Sequence, residues 1–230
     1  MKKMVISTGA GISAESGLST FRDAGGLWDK YKVVDVASAD GFARNPALIH
    51  EFYNTRRREL LGVNPNEAHI ILAEMEKDFD IEIITQNIDN LHERAGSTNV
   101  LHLHGELMKA RSIKHPERLY DLSPENPTTS LDSIDKYGDH LRPHIVFFQE
   151  AVPNIEQAIH QAMQADIFVV IGTSLNVYPA ASLLNYVPAS TPIYYIDPSP
   201  AITPSDRHVT IIAEKATQGV ATLRSMLTGK

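Results

Sequence analysis

The chain has 230 residues, 43% of them hydrophobic, enough to bury one substantial core with a small appended module. Its formal net charge is −7 and it has no basic tail, so nothing in the charge supports a nucleic-acid partner. It contains no cysteine, which excludes disulfides, a cysteine nucleophile, iron–sulfur ligation and a cysteine-built zinc site.

Met1-Lys2-Lys3 runs straight into an apolar strand, and no apolar run approaches a membrane span. The expectation is a cytoplasmic protein without a membrane partner. Lys3–Ser7 reads as a strand that breaks into Thr8-Gly9-Ala10-Gly11-Ile12-Ser13-Ala14-Glu15-Ser16-Gly17. A strand, a Gly-Ala-Gly turn and then helix formers make a nucleotide-binding arrangement. Glycines let the backbone approach a diphosphate, and the helix offers free N–H groups. Position 14 is alanine, so only the first part of a G-x-G-x-x-G pattern is present, and a tight strand-to-helix turn is the plainer reading. Ser13 or Ser16 is the expected cap. In the loop Thr20–Trp28, Phe21 and Trp28 are aromatic anchors, and Arg22 is a fixed positive group beside a phosphate-type turn.

Residues 35–62 predict two helical pieces. Asn45-Pro46 opens the second and Gly62 closes it. Tyr53 and Arg56 are three apart and share a helix face. For two of the three arginines Arg56, Arg57 and Arg58, a solvated basic helix end is the expectation. A helix over Pro65–Glu76 buries Ala68, Ile71, Leu72 and Met75. The strand within Asp80–Thr85 leads to Gln86-Asn87-Ile88-Asp89-Asn90-Leu91-His92. Amides and a carboxylate at the C-terminal end of a strand stand where open α/β sheets bind ligands.

Val100–Leu107 reads as one short strand in which His102 and His104 alternate and face the same way. At least one is a candidate base, and no third ligand for a metal is evident. Residues 109–142 lose periodicity and read as a polar insert with little core. Ile145–Phe148 is expected to return to the main sheet. A helix over Ile155–Ala165 precedes the apolar strand Ile167–Ile171, which meets a second small-residue cradle, Gly172-Thr173-Ser174. A helix from about Val177, a strand Ile193–Ile196 ending in Asp197, a strand Val209–Ile212 and a helix from about Thr217 to Leu227 complete the chain. Apolar strands separated by helices argue an α/β fold with a parallel, doubly wound sheet.

Taken in order, several of these motifs resemble the sirtuin family of NAD-dependent protein deacylases. They are the Gly-Ala-Gly-Ile-Ser opening with Glu15-Ser16-Gly17, Phe21-Arg22, Gly26-Leu27-Trp28, Thr85–His92, His104-Gly105-Glu106, and Gly172-Thr173-Ser174 with Tyr178-Pro179. The resemblance implies a Rossmann-like NAD domain, approximately 1–30, 65–109 and 142–230, with a small inserted domain of approximately 31–64 and 110–141. It places NAD against Gly9, Ala10, Gly11, Ser13, Ala14, Glu15, Phe21, Arg22 and Trp28. Gln86, Asn87, Ile88 and Asp89 would line the ribose and nicotinamide pocket, and Gly172, Thr173 and Ser174 the phosphate and ribose side. Asp197, Pro198, Ser199 and Ala216 would sit near the adenosine.

The same resemblance makes His104 the general base, followed by His102 and then His92, with Asn87 and Asp89 positioning nicotinamide and its ribose. The implied substrates are acylated lysine side chains of proteins. The implied products are free lysine, nicotinamide and O-acyl-ADP-ribose, formed without a metal. Val146 and Phe147 would contact the peptide. Tyr53 and Arg56 resemble the Tyr-x-x-Arg pair of the subgroup acting on succinyl- and malonyl-lysine, with acetyl-lysine also possible as a substrate.

Three positions depart from the family pattern. Ser112 stands where the first of four zinc cysteines is usual, Gln149 where glycine is usual, and Asp197 where asparagine is usual. The Gln149 side chain is expected to narrow the peptide groove. A monomer is favoured. The competing readings are a module that binds NAD or ADP-ribose without turnover, and an ADP-ribosyltransferase or NAD glycohydrolase.

Overall fold

The computed structural model describes residues 1–19, 31–173, 180–200 and 209–229. The expectations for Phe21, Arg22, Trp28, Ser174 and Val177–Pro179 lie outside the described residues.

The first strand, β1 (Lys3–Thr8), leads into a one-turn helix, α1 (Gly11–Ala14). Ala10 precedes α1 and no side chain caps it, contrary to the cap expected from Ser13 or Ser16. Three helices follow where two were expected: α2 (Val33–Val36), α3 (Ala39–Arg44) and α4 (Pro46–Leu61). The extra break has a local cause. The Ser38 hydroxyl accepts from Gly41 N–H and the Asn45 side chain from Leu48 N–H, so each residue starts a new helix in non-helical backbone. Helix α5 (Glu67–Met75) begins later than expected because Asn66 caps it, and the His69 ring bonds back to Asn66 N–H.

Strand β2 (Asp80–Thr85), helix α6 (Leu91–Ala95), strands β3 (Val100–His102), β4 (Gly105–Ser112), β5 (Leu119–Asp121) and β6 (Leu141–Ile145), and helix α7 (Ile155–Met163) come next. The chain continues with β7 (Ile167–Ile171), a 3-10 helix (Ala180–Tyr186), β8 (Ile193–Ile196), β9 (Val209–Ile212) and α8 (Ala216–Thr228).

Six strands form a parallel sheet in the order β3-β2-β1-β7-β8-β9. The strands alternate between two cores. Met4, Ile6, Val169 and Ile171 face Leu72, Met75, Val220 and Leu223 of α5 and α8. Val5, Phe168 and Val170 face Ala158 and Ala162 of α7 with Leu183 and Leu184 of the 3-10 helix. Burial on both faces explains why β1 and β7 are continuous apolar runs. Each fully buried aliphatic side chain contributes about 1.5–3 kcal/mol. From β1 the chain builds outward to β2 and β3, then returns to add β7 on the other side. The C-terminal ends of β1 and β7 therefore bound the crevice where the sheet's connections diverge.

The segment 100–107 is two strands in two sheets, not one. β3 ends at His102, and β4 joins a three-stranded antiparallel sheet of order β5-β4-β6. His102 and His104 therefore do not alternate along one strand. Ile145–Phe148 does not return to the parallel sheet either. Ile145 ends β6, which pairs with β4, and Phe148 forms a bridge to Ser38. The strands of the small sheet extend past 110–141 on both sides.

Arg57 corrects the expectation of a solvated helix end: it is 0% exposed, and Arg56 is buried beside it. Helix α4 packs against α2, α3, β4 and β6, so it has several buried sides instead of one. A third core, with Ile49, Phe52, Tyr53 and Leu60 of α4 against Leu107, Ile145 and Phe147, fills that space.

The tip of the small sheet is organised by Asp135, whose side chain is closed to solvent. Its carboxylate accepts from Tyr137 N–H and Asp139 N–H at 2.9 Å, from the Tyr120 hydroxyl at 3.0 Å and from Arg118 at 3.3 Å. Asp139 in turn pairs with Lys114 and Arg118. A network of charges and hydrogen bonds thus stands where the sequence shows no hydrophobic pattern.

Candidate active site

Two turns meet at the crevice. A β-carbon on Gly11 would stand 2.6 Å from Gly172 Cα, and one on Gly9 would stand 2.7 Å from Thr173 Cβ. Gly172 has φ +61°, and its own β-carbon would stand 2.5 Å from Ile12 N. Only glycine lets these backbones nest. Four of the N–H groups in the turn are already engaged. Gly9 N–H donates to Ile171 O, Gly11 N–H to Gly172 O, Ile12 N–H to Gly9 O and Ser13 N–H to Ala10 O. The glycines serve close packing, which leaves a low floor between β1 and β7.

A polar chain crosses this floor. Asn87 Nδ2 donates to Gly9 O at 3.0 Å and to Ser13 Oγ at 3.2 Å, and Ser13 Oγ donates to Asp89 Oδ2 at 3.0 Å. Burial pushes the Asp89 carboxyl up, and the bonds from Leu91 N–H and Ser13 oppose that rise. Gln86 Nε2 reaches Thr173 Oγ1 at 3.2 Å, and the Tyr195 hydroxyl donates to Thr173 O. Ser13, Asn87, Asp89 and Arg56 line a cleft together with the apolar Leu18, Leu60 and Leu107. Ala10 and Ile88 also border it.

Arg56 brings a buried guanidinium into this cleft. Its Nη1 pairs with Glu59, one turn on, while its Nε has no partner. Glu59 is 45% exposed, so this counter-charge is partly hydrated and screened. Tyr53 does not line the cleft. Its ring stacks on Phe147 at 6.1 Å and meets Phe52 edge-on at 5.0 Å. Burial pushes its phenol pKa up.

The histidines separate by their hydrogen bonds. His104 Nδ1 lies 3.0 Å from Gln86 O, so it carries the proton and leaves Nε2 as the acceptor. Burial lowers the His104 pKa, which keeps the ring neutral near pH 7. Both ring nitrogens of His102 face acceptors, Asn87 O and Glu93 Oε1, so neither is available to take a proton. His92 is fully enclosed, reaches Thr8 Oγ1 at 3.2 Å and packs on His69, with burial holding its pKa well below the usual value.

Val146 N–H donates to His104 O, which ties half-buried Val146 and buried Phe147 to the His104 backbone. Sequence reasoning missed the group that fixes this segment. Arg142 lies 3.8 Å over the Phe147 ring and bonds Glu150, which accepts from Phe147 N–H and Arg111. Arg142 and Glu150 sit at the edge of the aperiodic segment, where no pattern marks them. Gln149 folds back onto Asp40 at the start of α3.

On the far side, Asp197 Oδ1 accepts from Ser199 N–H, and Pro198 and Ser199 are exposed. Ala216 is buried in the core, and Ala14 is exposed. The Glu15 carboxylate holds the N–H and hydroxyl of Thr217, where it caps α8 and does not line the cleft.

The sequence pattern of the Sir2 family matches residues 9–179. A protein of Bacteroides thetaiotaomicron named NAD-dependent protein deacylase is 54% identical over 230 residues, covering 99% of this chain and 98% of its own. A Helicobacter pylori protein of the same name is 48% identical over 227 residues, covering 99% and 98%. The crystal structure of a Sir2 homologue–NAD complex superposes with a TM-score of 0.87 at 36% identity, covering 99% of this chain and 91% of that one. With the glycine-floored crevice and these matches together, the chain belongs to the Sir2 family.

Proposed function

We propose that the protein is an NAD-dependent deacylase of protein lysine side chains, with succinyl and malonyl groups preferred and acetyl groups accepted. The observation that carries this reading is Arg56 opening into the same cleft as the Asn87–Ser13–Asp89 chain. The names of the full-length relatives support the general activity.

The crevice suits a dinucleotide: Gly11 and Gly172 let the two turns at the ends of β1 and β7 pack backbone to backbone, at the sheet position where open α/β folds bind nucleotides. Bound NAD supplies the ribose carbon that loses nicotinamide and takes the acyl oxygen. The chain's own groups orient and deprotonate. Asp89 has one oxygen held by Ser13 and one by Leu91 N–H, and its remaining lone pairs accept hydroxyl or amide donors. His104, with Nδ1–H fixed on Gln86 O, takes a ribose hydroxyl proton at Nε2. Arg56 offers its guanidinium, which lines the cleft, to an acyl carboxylate as a charge-assisted donor.

The test compares kcat/KM for acetyl, malonyl and succinyl forms of one peptide in wild type and Arg56→Met. Loss of a charge-assisted pair costs about 2 kcal/mol, roughly thirtyfold, on the acidic substrates only. Equal losses on acetyl and succinyl peptides would make Arg56 structural. NAD binding without turnover of any of the three would replace the enzyme by a binding module.

A further inference from the structure

His102 ends β3 opposite Thr85 of β2, beneath the segment that carries Asn87 and Asp89. Its ring is buried between two acceptors. Nδ1 is 2.9 Å from the Asn87 carbonyl oxygen, and Nε2 is 2.7 Å from Glu93 Oε1 of α6. A carbonyl oxygen can only accept, and so can an ionised carboxylate, so two good hydrogen bonds require a proton on each nitrogen. The Glu93 side chain is 38% exposed, which leaves its ionised form partly hydrated.

We propose that His102 is held as an imidazolium between Glu93 and the Asn87 carbonyl, and that it is a positioning residue for the Asn87–Ser13–Asp89 chain. The inference rests on the deacylase reading for its kinetic readout alone.

The surroundings agree from every side. Glu93 on α6 and Glu106 on β4 supply negative charge to the ring, while Asn154 Nδ2 holds the His102 carbonyl at 2.8 Å. Burial opposes the charge on His102, but the Glu93 bond and the Asn87 carbonyl outweigh it. The positive ring favours the ionised form of Asp89, against the effect of burial, and it helps keep His92 neutral. His102 thus holds Asn87 by its backbone, leaving the Asn87 side chain to the Gly9 and Ser13 bonds. The two histidines divide the work. His104 keeps one nitrogen open, and His102 keeps none.

The test uses protein labelled with 15N-histidine, with the His102 signals assigned by their loss in His102→Gln. At pH 7 both ring nitrogens of His102 are expected to carry protons. In Glu93→Gln the ring is expected to become neutral and to titrate between pH 5 and 8. The NAD dissociation constant, read by calorimetry, should rise about tenfold, with peptide KM within twofold of wild type and Glu93→Asp recovering most of the loss. A single ring proton in the wild type would overturn the proposal. So would a Glu93→Gln variant that melts lower but binds NAD as tightly as wild type. The ring spectrum and the NAD titration need no turnover, so an inactive wild type would count against the deacylase reading and leave these two results to decide the role of His102.

Discussion

Gln149 closes a two-point clamp on Asp40, 109 positions earlier: Asp40 N–H donates to its Oε1 at 3.2 Å, and its Nε2 donates to the Asp40 carboxylate at 2.8 Å. The clamp sits on backbone that resists a side chain. Gln149 has φ +79°, and no other non-glycine residue among the described ones has positive φ. A β-carbon in that region costs about 1–2 kcal/mol. Gln149→Ala loses the clamp and keeps the strain, whereas Gln149→Gly loses both. The glycine variant is expected to be the more stable of the two by about 1 kcal/mol in urea unfolding. Equal midpoints would show that the backbone relaxes in the alanine variant.

Arg57 answers its buried charge without a carboxylate among its hydrogen-bond partners. Nε donates to Leu107 O at 2.7 Å, and Nη1 donates to Asn54 Oδ1 at 2.8 Å and to Thr129 Oγ1 at 3.3 Å. Burial pushes its pKa down to about 10. Arg57→Met strands these acceptors and should cost roughly 3 kcal/mol, seen as a lower urea midpoint with an unchanged slope. Arg57→Lys should recover little, because one ammonium cannot span both Leu107 O and Asn54 Oδ1. A loss of under about 1 kcal/mol for Arg57→Met would return Arg57 to the role of an ordinary helix-end charge.

Asp135 makes the small sheet sensitive to acid. Burial alone would raise its carboxyl, but bonds from Asp139 N–H, Tyr137 N–H, the Tyr120 hydroxyl and Arg118 bring it to about 2. An unfolded aspartate titrates near about 3.9. The folded pKa is the lower one, so the contribution is complete above about pH 4 and is lost as pH falls towards 2. Amide exchange at Tyr137 and Asp139 should quicken across that window before exchange in β1 and β7 does. Asp135→Asn should exchange faster at neutral pH and lose the pH dependence. Parallel pH profiles in the two proteins would exclude Asp135 as the cause.

His104→Ala should retain NAD binding and lose roughly a hundredfold or more in deacylation, the usual worth of a general base. Because burial lowers the His104 pKa, the acid limb of kcat/KM should fall below the ordinary histidine value of about 6.5. Near-normal turnover in the variant at saturating substrate would end the assignment.

Strands β1 and β7 were legible in the sequence because a strand buried on both faces is a continuous apolar run, whatever its neighbours. The start of α4 was legible because Asn45 and Pro46 act on backbone within three residues of themselves. The polar group at Gln86–Asp89 was legible as a polar cluster at the C-terminal end of a strand, but its wiring to Ser13 and Gly9 was not. Tertiary structure decided the rest. Periodicity reports how many sides of an element are buried, not what buries them. Arg57 therefore looked solvated until Leu107, 50 positions away, supplied its acceptor. The division of Val100–Leu107 between two sheets rests on pairing with β2 on one side and β6 on the other, and both partners lie outside the segment. The separate roles of His102 and His104 come from which acceptors the fold brings to each ring nitrogen, which spacing along the chain cannot encode.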